Sequence, residues 1–362
     1  MPELFDPITI GSLTLRNRLM RSATAERMAD PITGAPQPRL QALYRTLAEG
    51  GVGLIVTGHA TILPSGKAHP EMAAMDDDAL IPTWRETIRP AQEAGARVMM
   101  QINHCGANTD LAVNPDPVAP SGIATNGRSR PRTMTEEELL GIVQAFGQAA
   151  RRAREAGFDG VQLHGAHGYL ISQFLMPGTN HRDDRWGGDP ERRRAFLQAV
   201  AAEARKQVGE DYPLWIKLGV ASVAMMGLTA AEGAEAARAC RDWGIDCVEV
   251  SMAAGAPEDL VAKGEARFLP LARVVRQAVG PNYPLALVHS LRTRAVMDEV
   301  LASGVVQLIS MCRPLIARPG LPNKLRTQGA ARTTCTSCDR CWPDAPGEGI
   351  ACKKGTKTPE RG

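Results

Sequence analysis

The sequence of 362 residues lacks three features that would each indicate a particular class of protein. It has no apolar run near the roughly 20 residues needed to span a bilayer. Residues 1–6 lack the basic and apolar regions of a signal peptide. The net charge of +3 is too small for a nucleic-acid or membrane-surface protein, because such binding needs concentrated positive potential. We therefore expect a cytoplasmic protein that binds neither nucleic acid nor membranes.

A dinucleotide-binding fingerprint is also missing. No Gly-x-Gly-x-x-Gly motif follows the first predicted strand, which counts against a Rossmann fold. The composition is otherwise that of a globular protein, with 44% hydrophobic and 22% charged residues. The chain is long enough for one large core of TIM-barrel size or for two smaller cores.

From about residue 17 to residue 318, short apolar runs alternate with longer stretches of helical period. Several of the predicted helices end at a glycine, which supplies the left-handed turn before the next strand. Near-continuous apolar strands between helices indicate a parallel sheet covered by helices. Eight such units favour an α/β protein with a (β/α)8 TIM barrel. The predicted strands are 19–24, 53–59, 97–103, 160–163, 214–218, 247–251, 285–288 and 306–311.

Two additions to the barrel are expected. Residues 7–15 are typical of a small β-hairpin that turns at Gly11-Ser12 and closes the amino-terminal end of the barrel. The segment after Pro319 contains a short cysteine-rich tail. We therefore divide the chain into a barrel domain, residues 1–330, and a tail, residues 331–362.

Candidate catalytic residues follow the fourth predicted strand, which leads into His164, His167 and Tyr169. The carboxyl ends of barrel strands carry the chemistry in this fold. Imidazoles can donate hydrogen bonds to a substrate oxygen, and a phenol can deliver a proton. Each histidine could instead cap a helix or fill a polar gap. A metal site needs further ligands that no nearby Asp, Glu or Cys offers by spacing.

The stretch 156–170 resembles the signature of the old yellow enzyme family of FMN-dependent ene-reductases. The similarity spans nearly the whole predicted barrel in family order. It extends to Asn17-Arg18, Ser22-Ala23-Thr24, residues 50–55, Gln101 with His104, residues 173–175, residues 180–184, Gly187-Gly188, Arg192 and residues 313–316.

This resemblance implies that FMN lies over the carboxyl-terminal mouth of the barrel. Ala23, Thr24 and Gly58 are then expected to line the flavin ring, and Gln101 to bond its pyrimidine edge. Lys217 is expected to place a positive charge near N1 and O2, where reduced flavin carries negative charge.

The resemblance also implies the reaction. NAD(P)H gives a hydride to flavin N5, and an activated, carbonyl-conjugated alkene then takes it up. His164 and His167 match the pair that holds the substrate carbonyl oxygen, and Tyr169 matches the proton donor to the α-carbon. The chain is thus expected to be an NAD(P)H:flavin oxidoreductase acting on a small molecule, and we expect it to form a homo-oligomer.

The sequence departs from the family pattern where the FMN phosphate should bind. His289-Ser290 stands where strand seven usually ends in a Gly-Gly pair, and Cys312 replaces the glycine before Arg313. Glycine at such positions allows close approach or unusual dihedral angles. Ser290, Cys312 and Arg313 could still donate hydrogen bonds, so FMN is expected to bind more weakly or in a shifted pose. Ala25 stands where the family often has a Cys or Thr that tunes the flavin potential.

The tail cysteines, Cys335, Cys338, Cys341 and Cys352, resemble the [4Fe-4S] ligand set of the branch that includes trimethylamine dehydrogenase and 2,4-dienoyl-CoA reductase. Four thiolates at such spacings could bind zinc instead, or the tail could keep free thiols. A cluster would need a separate redox partner protein, or it would be structural only.

Two rival functions stay open. An amine or betaine dehydrogenase or demethylase would keep the flavin and pass electrons through the cluster to a partner. A degenerate barrel without FMN would serve as a binding protein, and only His289-Ser290 and Cys312 favour it.

Overall fold

The computed structural model describes residues 2–124, 130–255, 257–328 and 332–354. The strands within these residues, numbered along the chain, are β1 (Ile8–Ile10), β2 (Leu13–Leu15), β3 (Leu19–Arg21), β4 (Leu54–Val56), β5 (Ala60–Thr61), β6 (Arg97–Asn103), β7 (Val118–Ala119), β8 (Arg132–Thr133), β9 (Gly160–Gly165), β10 (Leu214–Gly219), β11 (Cys247–Ser251), β12 (Leu285–Leu287) and β13 (Leu308–Met311).

Eight of these strands form a closed parallel barrel. In the order β3, β4, β6, β9, β10, β11, β12 and β13, each strand pairs in parallel with the next, and β13 pairs with β3 to close the sheet. The short strand β5 extends the sheet beside the carboxyl end of β6. The predicted (β/α)8 TIM barrel is therefore confirmed, with one strand in each of the eight predicted stretches.

Helices follow the barrel strands and cover the outside of the sheet. They are α1 (Pro38–Glu49), α2 (Leu80–Glu93), α3 (Glu136–Glu155), α4 (Leu170–Leu175), α5 (Pro190–Val208), α6 (Ala230–Asp242), α7 (Leu269–Val279), α8 (Arg294–Ala302), α9 (Arg313–Ala317) and α10 (Leu321–Thr327). Local sequence sets several of their starts. Thr135 and Thr229 each form a capping box with a glutamate three residues later, and Asp189 caps α5, whose first residue is Pro190.

The fourth barrel strand is longer than predicted. The sequence predicts an end at residue 163, whereas β9 continues to Gly165. The reason is pairing with β10, because His164 lies opposite Lys217 and Gly165 lies opposite Leu218. His164 is therefore the penultimate residue of a strand, not part of the loop after it.

The amino-terminal hairpin closes the lower end of the barrel, as predicted. Strands β1 and β2 pair antiparallel, and Gly11 at their turn has a φ of 57°, in the left-handed region that glycine tolerates best. Ile10, Leu13 and Leu15 pack against the lowest inward-facing layer of the barrel, which is apolar. That layer consists of Met20, Leu54, Val56, Met99, Trp215, Cys247, Ala286 and Leu308.

The described part of the tail runs across the opposite end of the barrel. Residues 332 and 293 form a β-bridge, and the backbone N–H of Thr333 donates to the carbonyl of Arg292 beyond β12. Further on, the N–H of Ile350 donates to the carbonyl of Glu26 in the loop after β3, and Ile350 is buried. The tail thus spans from the last barrel units back to the first.

None of the described helices combines the length and the apolar character that crossing a membrane would require.

The lower layer yields a prediction about stability. Trp215 is fully buried there, and its indole Nε1 has no hydrogen-bond partner among the described residues. Trp215→Ala should lower the free energy of unfolding by about 3–5 kcal/mol, because it leaves a large cavity. Trp215→Phe should cost less, since it fills most of the space and removes an unpaired N–H. Denaturant unfolding measures both changes.

Trp342→Ala provides the matched control, because Trp342 is 53% exposed in the tail. Its unfolding free energy should stay within about 0.5 kcal/mol of the wild-type value. Equal losses for Trp215→Ala and Trp342→Ala would contradict a sealed lower layer.

Candidate active site

A cavity of about 550 Å³ opens at the carboxyl ends of β3, β10, β11, β12 and β13. Its lining includes Lys217, Ser251, Ser310 and Arg313. Ligand sites commonly enclose roughly 300–1,000 Å³, and TIM barrels keep theirs at this end because the βα loops converge there. The cavity therefore has the size and place of a cofactor or substrate site.

A layer of polar side chains lies between this cavity and the apolar lower layer. Its centre is Glu249 on β11, which is fully buried. Glu249 Oε1 accepts hydrogen bonds from Ser22 Oγ at 2.6 Å, Ser310 Oγ at 2.7 Å and Lys217 Nζ at 3.2 Å. Its second oxygen, Oε2, accepts from Gln162 Nε2 at 3.1 Å. Every oxygen of this buried carboxylate is thus satisfied.

Lys217 and Glu249 form an ion pair at the base of the cavity. Burial disfavours the charged carboxylate, but the Lys217 ammonium and the hydrogen bonds from Ser22 and Ser310 outweigh that effect and lower the pKa of Glu249. Lys217 Nζ also donates to Ser22 Oγ at 2.6 Å. Because Lys217 lines the cavity while it binds Glu249, the pair connects the barrel interior to the site.

Gln101 belongs to this polar layer. Its Nε2 donates to Gln162 Oε1 at 2.7 Å, and the residue is 1% exposed. We predicted that Gln101 bonds the pyrimidine edge of a flavin. The structure places it within the hydrogen-bonded layer and outside the cavity lining.

His164, at the end of β9, is buried and neutral. Burial, followed by the nearby His167, His59 and Lys217, lowers the pKa of His164 well below its usual value. Its Nδ1 accepts a hydrogen bond from the backbone N–H of Ala166 at 3.3 Å. The neutral ring therefore carries its proton on Nε2, which is left as a hydrogen-bond donor.

His167 and Tyr169 lie beside His164. The ring centroid of His164 is 5.1 Å from that of His167 and 4.9 Å from that of Tyr169. His167 lines the cavity, has a left-handed φ of 60°, and places Nε2 3.0 Å from Ser251 Oγ. Such a backbone conformation in a residue other than glycine costs energy and is found most often at functional sites.

The structure brings the three predicted catalytic residues together, although only His167 belongs to the cavity lining. Tyr169 is partly exposed at the start of α4, where its ring also lies 5.0 Å from that of His59. Burial raises the pKa of the Tyr169 phenol far above its usual value, so the phenol keeps its proton.

The other residues predicted to line a flavin differ in their position relative to the cavity. Ala23 lines the cavity. Thr24 lies next to it, with Oγ1 2.9 Å from Cys312 Sγ. Gly58 lies away from the cavity lining, where its N–H donates to Glu26 Oε1 at 2.9 Å. A Cβ on Gly58 would come within 2.4 Å of the Thr24 carbonyl oxygen and within 1.8 Å of Glu26 Oε2, so close packing against the backbone requires glycine there.

The phosphate end predicted from the sequence carries positively charged side chains, one of which, Arg313, forms an ion pair with Asp339. Ser290, Cys312, Arg292 and Arg313 line the cavity beside His289. Burial, followed by Arg313 and a second arginine, Arg267, lowers the pKa of His289 to about 4. The Nε atoms of Arg292 and Arg267 are buried without a hydrogen-bond partner among the described residues.

The two residues that replace the Gly-Gly pair keep the backbone shape of glycine. His289 has a φ of 87° and Ser290 a φ of 59°, both in the left-handed region. This conformation costs roughly 1–2 kcal/mol for residues with a Cβ. The loop after β12 therefore has a strained backbone with the dihedral angles that glycine favours. Its side chains add a hydroxyl and an imidazole to the basic end of the cavity.

The tail cysteines lie near one another and next to the cavity, which Cys335 helps to line. Burial, followed by the neighbouring Cys335, Cys312, Cys352 and Cys338, raises the pKa of the Cys341 thiol to about 11. All are free thiols, and no three or more His, Cys, Asp or Glu side chains within the described ranges are arranged to hold a metal ion. The predicted ligand set is therefore present as neighbouring thiols and not as a formed metal site.

Sequence reasoning missed the acidic half of the ion pair. Neither Glu249 nor Gln162 is among the site residues that the sequence predicts, yet they connect four barrel strands through one carboxylate. A signal existed, because Cys247, Glu249 and Ser251 alternate along β11 and so face the barrel interior together. A carboxylate at an inward position of an apolar strand indicates a buried partner.

Comparison with known proteins identifies the family of the chain. Residues 3–331 match the model of the NADH:flavin oxidoreductase / NADH oxidase family. An NADH oxidase of Thermoanaerobacter brockii is 34% identical over 350 residues, which cover 93% of this chain and 53% of the relative. The chain therefore spans about half the length of that protein.

Solved structures show the same likeness. A 2-naphthoyl-CoA reductase in complex with 2-naphthoyl-CoA superposes with a TM-score of 0.85 at 30% identity, covering 90% of this chain and 52% of the other. The old yellow enzyme homologue of Zymomonas mobilis superposes with a TM-score of 0.79 at 26% identity, covering 92% and 95%. The chain belongs to the NADH:flavin oxidoreductase / NADH oxidase family, which is the old yellow enzyme family of the resemblance seen in its sequence.

Proposed function

We propose that this chain is an FMN-containing oxidoreductase that uses NAD(P)H to reduce carbonyl-conjugated alkenes. The observation that carries the proposal is the group formed by His164, His167 and Tyr169 beside a cavity that has the Lys217 ammonium at its base. Family membership supports the flavin and the nicotinamide dinucleotide.

The residues that line the cavity fit FMN. Lys217 would hold the pyrimidine edge, and Ala23 would contact the ring. Arg313, Arg292 and Ser290, which line the cavity, would hold the phosphate through their guanidinium and hydroxyl donors. FMN, when bound, supplies a two-electron carrier between NAD(P)H and the substrate.

The two histidines are suited to a substrate carbonyl. His164 donates from Nε2, because its Nδ1 is engaged by the Ala166 N–H. His167 would donate from Nδ1, with its Nε2 accepting a hydrogen bond from the Ser251 hydroxyl 3.0 Å away. Donors that are fixed before reaction stabilise negative charge as it develops on the oxygen, and they contribute most in a site that excludes water.

Tyr169 is suited to deliver the proton. Its phenol stays protonated because burial raises its pKa, and its ring lies against that of His164. Proton transfer from Tyr169 to the α-carbon would complete the reduction of the alkene. The proton is used only when the alkene reacts, so the two halves of the cycle can be separated experimentally.

Tyr169→Phe tests this function. The variant should keep the wild-type rate of flavin reduction by NADH or NADPH and should slow reoxidation by an enone such as cyclohexenone by about 10²–10⁴-fold, the usual contribution of a general acid. Stopped-flow absorbance of the flavin measures each half separately.

Tyr212→Phe is the matched control for Tyr169→Phe. The Tyr212 hydroxyl donates to the carbonyl of Phe158 just before β9, at the end of the barrel away from the cavity, so both half-reactions should proceed at wild-type rates. Equal slowing of both halves in Tyr169→Phe would contradict the role of Tyr169. Flavin reduction by amines and not by NAD(P)H would favour the dehydrogenase function.

The pH profile of alkene reduction gives a second test. Because the pKa of His164 is lowered, its neutral donor form persists as the pH falls through 6.5, where a free histidine would gain a proton. The rate of the alkene step should therefore stay constant from about pH 8 to about pH 5.5. Stopped-flow rates that change with an inflection near pH 6.5 would contradict a buried neutral His164.

Folding must be monitored in that experiment. Burial lowers the pKa values of His59 and His104 to about 4. Below pH 6.5 the unfolded chain therefore binds more protons than the folded chain. The free energy of unfolding decreases as the pH is lowered from 6.5 to about 4. Each such histidine contributes about 1.4 kcal/mol per pH unit in this window. Circular dichroism at each pH checks that the protein remains folded.

The cysteine spacing supports a [4Fe-4S] cluster as a further proposal, although the described thiols form no metal site and we assign no reaction step to a cluster. Anaerobically purified protein should contain equal amounts of iron and acid-labile sulfide, and Cys338→Ser should reduce both. Cys240→Ser, at a buried thiol on α6, should change neither. Zinc without sulfide, or no metal at all, would overturn the cluster.

A further inference from the structure

The ion pair below the cavity has an acidic member that the proposed function does not use. We propose that Glu249 is a positioning residue that holds the ammonium of Lys217 and offsets its charge, and thereby sets how strongly the site prefers reduced over oxidised FMN. The inference rests on the proposed function in one respect, because it requires FMN to occupy the cavity above Lys217.

The position of Glu249 along β11 places it beneath the cavity. Ser251, two residues later on the same face of the strand, lines the cavity, and Cys247, two residues earlier, lies in the apolar lower layer. Glu249 is therefore one layer below the surface that would face the flavin. It is fully buried and touches the cavity only through its partners.

The hydrogen bonds of Glu249 converge on Lys217. Ser22 Oγ accepts from Lys217 Nζ at 2.6 Å and donates to Glu249 Oε1 at 2.6 Å, while Nζ also lies 3.2 Å from the same oxygen. An ammonium has three N–H donors, and these two contacts use two of them. The Lys217 ammonium is thus fixed in position, and one of its N–H groups remains available to the cavity. The ammonium of a lysine without such partners would not be fixed.

The charges of the polar layer cancel. Gln101 and Gln162 are uncharged, and His164 above the layer is neutral because of its lowered pKa. Lys217 and Glu249 therefore contribute one positive and one negative charge. Without the carboxylate, an unpaired positive charge would remain in a medium of low effective dielectric constant, where its field is strong. Such a charge would favour the more negative, reduced form of a bound flavin.

A merely structural Glu249 would behave differently. It would stabilise the barrel by satisfying Ser22, Ser310 and Gln162, and its loss would weaken folding without changing the balance between the two flavin forms. The ratio of the dissociation constants of oxidised and reduced FMN separates the two roles, because a general loss of stability changes neither form selectively.

The experiment measures this ratio at pH 6, because acidic solution favours the charged form of an amine. Glu249→Gln should shift the ratio at least tenfold towards reduced FMN, which for a two-electron couple corresponds to about 30 mV. Asp246→Asn is the matched control, since Asp246 is a half-buried carboxylate at the opposite end of β11 that binds Arg205 and the Leu214 N–H. It should leave the ratio unchanged.

A second variant covers the case in which Glu249→Gln does not fold. Lys217→Met combined with Glu249→Gln removes both charges, and replacing both members of a buried ion pair is often tolerated. Under the proposal this double variant shifts the ratio towards oxidised FMN by at least threefold less than Lys217→Met alone, because it also removes the opposing carboxylate. Equal shifts in Lys217→Met and in the double variant would show that the charge of Glu249 does not act on the flavin, and would overturn the inference.

The remaining outcomes are also decisive. If wild-type protein takes up no FMN, the proposed function fails and the inference fails with it. If FMN binds but folded Glu249→Gln keeps the wild-type ratio, the inference alone is wrong. Circular dichroism checks that each variant is folded. Binding of riboflavin, which has the flavin ring but no phosphate group, checks that each variant retains a formed cavity.

Discussion

The ion pair between Lys217 and Glu249 is the interaction on which the candidate site depends. Burying two charges in a barrel costs several kcal/mol per ion unless their remaining hydrogen bonds are satisfied. Here two serines and a glutamine complete the coordination of the carboxylate. These partners come from β9 and β13 and from the turn after β3, so the pair is stable only when the barrel is closed. The same closure places Lys217 at the base of the cavity.

Local patterns made much of the fold predictable from the sequence. Each barrel strand is a short apolar run between helical segments, and the hairpin is fixed by alternation around Gly11. The group of His164, His167 and Tyr169 was equally accessible, because all three residues lie within six positions at the end of one strand. These contacts form between residues that are close in the chain, so the spacing of residue types in the sequence is enough to predict them.

The contacts that escaped prediction join distant parts of the chain. Ser22 and Glu249 are separated by 227 positions, and nothing in either local sequence indicates the other. The resemblance places Gly58 at the flavin, but it gives no sign that the Glu26 carboxylate, 32 positions away, packs against this glycine. The tail thiols have a recognisable spacing, but their distances depend on how the tail crosses the barrel. Long-range geometry, and not residue type, was the missing information in each case.

The layered interior of the barrel separates two tasks along its axis. The bottom layer, sealed by the hairpin, is apolar and lies at the opposite end of the barrel from the cavity, while the residues near the cavity carry polar groups. Substitutions in the bottom layer should change the stability of the protein and leave its reactivity unchanged. Substitutions at the rim should change the reactivity and leave the stability unchanged. During evolution, such a division allows substitutions at the rim to change the substrate. The well-packed bottom layer keeps the protein folded as those substitutions accumulate.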